Sequence, residues 1–572
     1  MSFQTITTRR RGTTVNWTSR NGAPDSPDSI DDLRTAKEDY QLVEYVHGLP
    51  SHVKTLPKKE KFSLFEYFRI RGLLLVLAIG YAIDRFFTRA WKKLPDLFNV
   101  YGLIFRKPST AEIWRDDAFF ARQRLTGVNP FVIELCKELP KKMTENLNIR
   151  EASLKTVLQQ RSGRADFTLE TAIQENRLFI VNYTILDGMF SQFGVCAPIA
   201  LFLVDANKEL MPIAIQLHQS GESNPLFLPN DPSWLMAKLW FNHADSSFQE
   251  SFSHLGVTHL LMESVDVVTH QNLAPSHPVF EILAPHFHYL LAINTEARSL
   301  LINKNGIVDK TLSIGRDGMI EIIRRRLVEW RMDTDGILPT DLKKRGVIDD
   351  GILPGYYYRD DALLVYEAIH KYVKTCVEIH YDDYGNNGRH RVSDDTQLQN
   401  WVLAIISKRE PVGGGCEIQG LPMDDNGETI STCGQLIEIV TCIIYICSVR
   451  HAVTNFPQYD QYGFQPAYPV GMRGTPPQDP KAELTATAII NAIPPKVTCL
   501  LEMLIMKFLS TRNTKLLGNF DKDIIPFPCD AAVTQFQKDL HEIAEKIEER
   551  NKIRKYPYQW ASPDYIPNSI SI

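Results

Sequence analysis

Ser253-His254-Leu255-Gly256-Val257-Thr258-His259, in the run that opens with Trp234-Leu235-Met236-Ala237-Lys238, decides how this chain is read. The two histidines stand five residues apart. Five residues of α-helix turn through about 500° and leave the imidazoles roughly 140° apart. A π-helical turn, bonded i to i+5, puts them on nearly one face. The spacing therefore predicts a π-turn if both rings serve one metal. The competing reading is a pair of surface or hydrogen-bonded core histidines. The stretch is not the zinc-protease arrangement, in which a glutamate follows the first histidine; here Leu255 follows His254.

A second pair lies in Arg450-His451-Ala452-Val453-Thr454-Asn455-Phe456. His451 and Asn455 are four apart, hence on one face of an α-helix. The apolar segment before them, Leu436 to Val449, should be buried, and inward polar groups need partners. A metal is one such partner; a hydrogen-bonded core pair is the other. The chain closes on Pro567-Asn568-Ser569-Ile570-Ser571-Ile572. An apolar end is read either as a segment that simply stops at Ile or as a buried terminus, whose α-carboxylate would need a cation or a metal. Three imidazoles, one neutral amide oxygen and one anion form a mixed N/O set that suits Fe, Mn or Cu better than structural zinc.

The bulk properties are those of a large globular chain: 572 residues, 44% hydrophobic and 23% charged. A net charge of -5 argues against a general nucleic-acid binder. Nine cysteines at irregular spacing, with no Cys-x-x-Cys pair, fit a reducing compartment and argue against a thiolate zinc site. Gly413-Gly414-Gly415 is not followed by Lys-Ser/Thr, so it reads as a turn and not a phosphate cradle.

Three segments are expected. Residues 1–60 are polar, with Arg9-Arg10-Arg11 and a Pro/Ser/Asp-rich stretch, and read as flexible. Residues 61–100 hold an uncharged apolar core of about a dozen residues, Gly72 to Ile83, short of the roughly 18 that span a bilayer. Arg69, Arg71, Arg85, Arg89, Lys92 and Lys93 flank it among aromatic residues. That is the composition of a helix lying in a membrane interface, within residues 62–93. A core helix is the alternative. Residues 101–572 read as one mainly α unit with a small β subregion. Asp360–Val377 and Lys496–Leu509 are its clearest helices, and β-rich runs lie at 179–183, 200–204 and 211–217.

Taken together, these motifs closely resemble the lipoxygenase family. The likeness runs in order through Trp234-x-x-Ala237-Lys238, Ser253-His254-x-x-x-Thr258-His259-Leu260-x-x-Glu263 and His277-Pro278 with Leu283-x-Pro285-His286. It continues through Ile293-Asn294-x-x-Ala297-Arg298, Leu301-Ile302-Asn303-x-Asn305-Gly306, His451-Ala452-x-x-Asn455-Phe456-x-Gln458-Tyr459 and the terminal hexapeptide. The resemblance implies a single-core helical catalytic domain. It also implies one non-haem iron (Fe2+/Fe3+) held by His254, His259, His451, Asn455 and the Ile572 carboxylate.

By the same likeness, a ferric hydroxide takes a bis-allylic hydrogen from a polyunsaturated fatty acid of the linoleate or linolenate type. Dioxygen then adds to give a conjugated hydroperoxide of the 9- or 13-type. Ala297, Leu301 and Val308 match pocket positions, and Glu250 and Gln458 stand behind the ligands. Two departures stand out. Many members have His-Gln where this chain has Gln249-Glu250. No room precedes Trp114 for the family's N-terminal β-barrel, which makes the chain similar to the compact bacterial, especially cyanobacterial, type. The expectation is a cytoplasmic enzyme peripherally bound to membrane. A hydroperoxide isomerase using the same iron, or an inactive lipid-binding protein, is the alternative.

Overall fold

The apolar runs form buried helices. Cys433–Tyr445 starts at a capping box, in which Thr432 Oγ1 accepts from Gln435 N and Gln435 Oε1 accepts from Thr432 N. Its Leu436, Ile439, Val440, Ile443 and Ile444 are wholly buried. Each such side chain contributes about 1.5–3 kcal/mol relative to exposure. Tyr357–His380 packs against it on one side and against Asp530–Ile553 on another. Pro494-Pro495 precedes Lys496–Leu509, where a missing N–H costs nothing at a helix start. The computed structural model describes residues 27–87, 90–102, 105–140, 151–189, 191, 193–219, 224–512, 515–520 and 529–572. One continuous helical stretch among them, Cys433–Tyr462, is long and apolar enough to cross a membrane, but 94% of its apolar window lies inside the protein.

The β subregion is a five-stranded antiparallel meander, β3 (Glu134–Leu135), β4 (Leu178–Asn182), β5 (Ile199–Val204), β6 (Leu210–Gln216) and β7 (Leu226–Phe227). Both its faces are covered. Leu178, Ile180, Leu201 and Leu203 pack into one cluster, and Phe179, Val181, Ala200 and Phe202 into the main core. That explains why these strands read as continuous apolar runs and not as alternating ones. The β5–β6 register slips between Leu201 and Phe202, where Phe202 faces Pro212, which has no N–H for the ladder.

Polar composition misleads over the N-terminal segment. The flexibility expected for residues 1–26 lies outside the described residues. Residues 27–60 are ordered: α1 (Pro27–Asp39) packs on Met262–Asn272, and β1 (Leu42–Val43) pairs with β2 (His52–Val53). Tyr40, Leu42, Leu49 and Val53 are buried in the main core. The Tyr40 ring stacks on His270 at 4.0 Å, and Val53 N donates to Glu263 Oε1. Four spaced anchors are enough to order a segment whose average composition is polar.

The basic aromatic stretch is α2 (Leu64–Phe87). Leu73, Leu77 and Tyr81, four residues apart, form one stripe packed with Leu500, Met503 and Leu504 of Lys496–Leu509. Phe65, Phe68, Leu75, Val76, Ile79 and Phe86 form a second stripe facing outward, each at least half exposed. α2 is therefore both a packed helix of the body and an apolar surface.

Candidate metal centre

His254 and His259 sit in Gln249–Leu261, a π-helical stretch between the α-helices Trp234–Phe248 and Met262–Asn272. The wider winding puts residues five apart on one face, and His254 Nε2 lies 3.2 Å from His259 Nε2. Gly256 suits this turn, since a Cβ there would stand 3.1 Å from the Phe252 ring and 3.2 Å from the Ser251 carbonyl oxygen. His451 opens the helix His451–Asn455, directly after a second π-helical segment, Ile446–Arg450. Its ring centroid is 5.6 Å from that of His254 and 5.0 Å from that of His259. One nitrogen from each of the three buried rings lies within 4.8 Å of the others.

Burial decides their charge. It lowers the pKa of His254 and His259 to about 3 and that of His451 well below the usual histidine range. All three rings are thus neutral at physiological pH, with lone pairs to offer. Neither ring nitrogen of His451 has a hydrogen-bond partner among the described residues. Unpartnered buried nitrogens are costly, and a bound cation would satisfy the one that carries the lone pair. The Ile572 main chain approaches His451 closely enough to oppose its pKa shift, though not in hydrogen-bond geometry.

The C-terminal tail is held there by its neighbours. Leu517 N donates to Ile566 O at 2.8 Å, and Asn568 N donates to Lys515 O at 2.9 Å. The Asn568 side chain accepts from Gly518 N and donates to Asn519 O. Its carbonyl oxygen lies 2.8 Å from His286 Nδ1, and Ser569 Oγ donates to His288 O. Ile570 and Ile572 are buried.

A layer of amides orients the rings. His259 Nδ1 lies 2.8 Å from Asn294 Oδ1, so His259 donates there and turns its Nε2 lone pair into the cluster. Asn294 Nδ2 donates to His259 O and to Glu263 Oε2, and Arg298 Nη1 also donates to Glu263 Oε2, at 2.6 Å. Asn455 is wholly buried; its Nδ2 donates to Leu509 O, and its Oδ1 accepts from Gln458 Nε2. The same Gln458 nitrogen stands 3.2 Å from His254 Nδ1, so Gln458 bridges the two. Glu250 Oε2 lies 3.6 Å from His254 Nδ1, while its Oε1 has no partner among the described residues.

A cavity of about 210 Å³ opens beside the cluster, lined by Glu250, His254, His259 and Ile572 at one side. Ala297, Leu301 and Val308 form part of its apolar wall. α2 closes another side with Tyr67, Ile70, Arg71 and Leu74, and Arg71 pairs with Glu296 at 3.4 Å. The structure thus brings together the three histidines, the Ile572 main chain and the cavity residues, with Asn455 tied to them through Gln458. Two features were missed from sequence. Asn294, Glu263 and Arg298 stood out there as motif residues without a role, although an amide flanked by acid and base marks an orienting network. Glu502, buried in the cavity wall, gave no signal.

The donor set fits iron: three neutral imidazole nitrogens brought together, and no thiolate among them. A family model described as Lipoxygenase matches residues 102–561. The allene oxide synthase-lipoxygenase protein of Plexaura homomalla is 31% identical over 591 residues, covering 95% of this chain and 52% of that protein. The chain thus spans about half the length of that relative. The polyunsaturated fatty acid lipoxygenase ALOX15B of Homo sapiens is 32% identical over 570 residues, 95% of this chain and 79% of its own. The crystal structure of coral 8R-lipoxygenase superposes with a TM-score of 0.85 at 30% identity, over 97% of this chain and 82% of that one. With the match extending along most of its length, the chain belongs to the lipoxygenase family, the non-haem iron dioxygenases of polyunsaturated fatty acids.

Proposed function

We propose that this protein oxygenates a polyunsaturated fatty acid, with iron held by His254, His259, His451, Asn455 and the Ile572 carboxylate. The observation that carries this reading is the adjacency of the histidine cluster and an almost wholly apolar cavity. Iron bound there would supply the one-electron acceptor for removing a bis-allylic hydrogen. The protein's part is positional. Leu301 and Val308 press on the acyl chain and exclude water. Ala297, with the smallest side chain on that wall, leaves room for dioxygen beside one end of the pentadiene. On linoleate the product would be a 9- or 13-hydroperoxide. Gln458 holds His254 and Asn455 in register.

The outward stripe of α2, with its flanking arginines, supports docking on an anionic membrane surface through residues 62–93. A cytoplasmic protein bound peripherally is the localisation this implies. Because α2 also forms a cavity wall, docking would bring the cavity to the source of its substrate.

The test is incubation of iron-loaded protein with linoleic acid in oxygenated buffer. Conjugated-diene absorbance should rise with equal oxygen uptake, and chiral chromatography reads the position and hand. No diene and no oxygen uptake from an iron-loaded sample would overturn the proposal. Consumption of a fatty-acid hydroperoxide without oxygen uptake would instead favour the isomerase.

A further inference from the structure

The cavity wall contains a carboxyl group with no hydrogen-bond partner at either oxygen among the described residues. It belongs to Glu502, on Lys496–Leu509, which is 1% exposed. Among the described residues, other polar groups of the cavity have at least one partner. Thr311 Oγ1 donates to Ile307 O, and Glu296 pairs with Arg71. Glu250 faces His254, although its second oxygen is also unpartnered.

Burial raises the Glu502 pKa well above the usual carboxylate range, with the charge of Arg473 opposing it. The group is thus a neutral acid offering one O–H donor and one carbonyl acceptor. A plain acyl chain beside it leaves both unsatisfied, which a binding site penalises.

The substrate's own carboxylate is a poor partner. It would bring an anion into an apolar enclosure, while the guanidinium of Arg71 stands in another wall of the cavity, where its side chain is 45% exposed. Head-group contact at Arg71 leaves Glu502 to meet a group along the chain. A hydroxyl or hydroperoxide both donates and accepts, which matches a neutral carboxyl atom for atom.

We propose that Glu502 is a specificity residue that hydrogen-bonds an oxygen function on the acyl chain, so that the cavity prefers a polyunsaturated fatty acid already carrying a hydroxyl or hydroperoxide. This rests on the reading of the cavity as a fatty-acid site.

The experiment is anaerobic calorimetric titration of the iron-loaded protein with linoleic acid and with its 9-hydroxy and 13-hydroxy derivatives. At least one hydroxy acid should bind roughly tenfold or more tightly than linoleic acid. Glu502→Leu should bring the affinities together, and Glu502→Gln, which keeps a donor and an acceptor, should retain the preference. Equal affinities in the unaltered protein overturn the inference and leave the fatty-acid reading standing. So does a preference that survives Glu502→Leu. Loss of the preference in Glu502→Gln would mean that a charged carboxylate is required, which also overturns it. Binding of none of the three acids would remove both readings together.

Discussion

Asn294 Oδ1 sits 2.8 Å from His259 Nδ1, and this one contact fixes which nitrogen of the ring faces the cluster. Asn294 is itself held by Glu263, to which Arg298 also donates, so the orientation of His259 is set by a chain of three side chains. Asn294→Leu should free the ring and weaken metal binding by roughly 10–100-fold, with Asn294→Asp losing less. Iron stoichiometry after dialysis against graded chelator measures this. Equal retention by both variants and the parent would refute the role.

The segment leading to Ile572 is held by the hydrogen bonds of Asn568. Deleting Ile572 moves the carboxylate to Ser571, a shift of up to about 3.5 Å along the chain, longer than a metal–oxygen bond. The truncated protein, or one extended past Ile572, should lose iron by elemental analysis. Full iron content in an extended chain would show that Ile572 is not a ligand.

Membrane docking should depend on side chains that point away from the cavity. Phe65, Phe68, Val76 and Ile79 are exposed and do not line it. Phe65→Ser with Phe68→Ser should cut partitioning onto vesicles of anionic phospholipid at least tenfold, since each aromatic buries about 1.5–3 kcal/mol of apolar surface. Oxygenation of detergent-dispersed substrate should stay near the parent rate. Unchanged sedimentation with vesicles is the contrary result.

Stability should fall on acidification. Burial lowers the pKa of His243 and His286 to about 4 in the fold, against about 6.5 when unfolded. Between those values the unfolded chain binds more protons, so the folded state is favoured less as pH drops. The loss begins near pH 6.5 and is complete near pH 4, on the order of 1–3 kcal/mol per histidine. Thermal unfolding at pH 7.5 and pH 5 should show it, with a flatter dependence in His243→Asn.

The buried pair Arg124 and Asp245, 2.7 Å apart, is joined by Tyr183 and Asn129. Asp245→Ala leaves the guanidinium unpaired in the core and should cost about 3–5 kcal/mol. Chemical denaturation would read this directly; a loss under 1 kcal/mol would contradict it.

The sequence by itself determined what depends on local spacing. The five-residue step from His254 to His259 required a π-turn for a shared face, and the helix there is π-helical. The four-residue step from His451 to Asn455 put both on one short helix, and Pro494-Pro495 marked the start of Lys496–Leu509. Ile570 and Ile572, apolar at a chain end, are buried. Periodicity and caps are short-range effects, so they are written in the order of residues.

Tertiary packing decided the rest. Nothing in Cys499-Leu500-Leu501-Glu502-Met503-Leu504 distinguishes an acid facing solvent from one sealed into a cavity; that follows from α2 and the π-helical stretch closing around it. Nor does the polar average of residues 27–60 reveal that Tyr40, Leu42, Leu49 and Val53 dock into the core. The role of Asn294 emerges only when two helices bring it to His259 across 35 positions of chain. A sequence records each side chain's chemistry and its local direction. Which distant surface it meets depends on how helices pack, a long-range outcome that no single segment encodes.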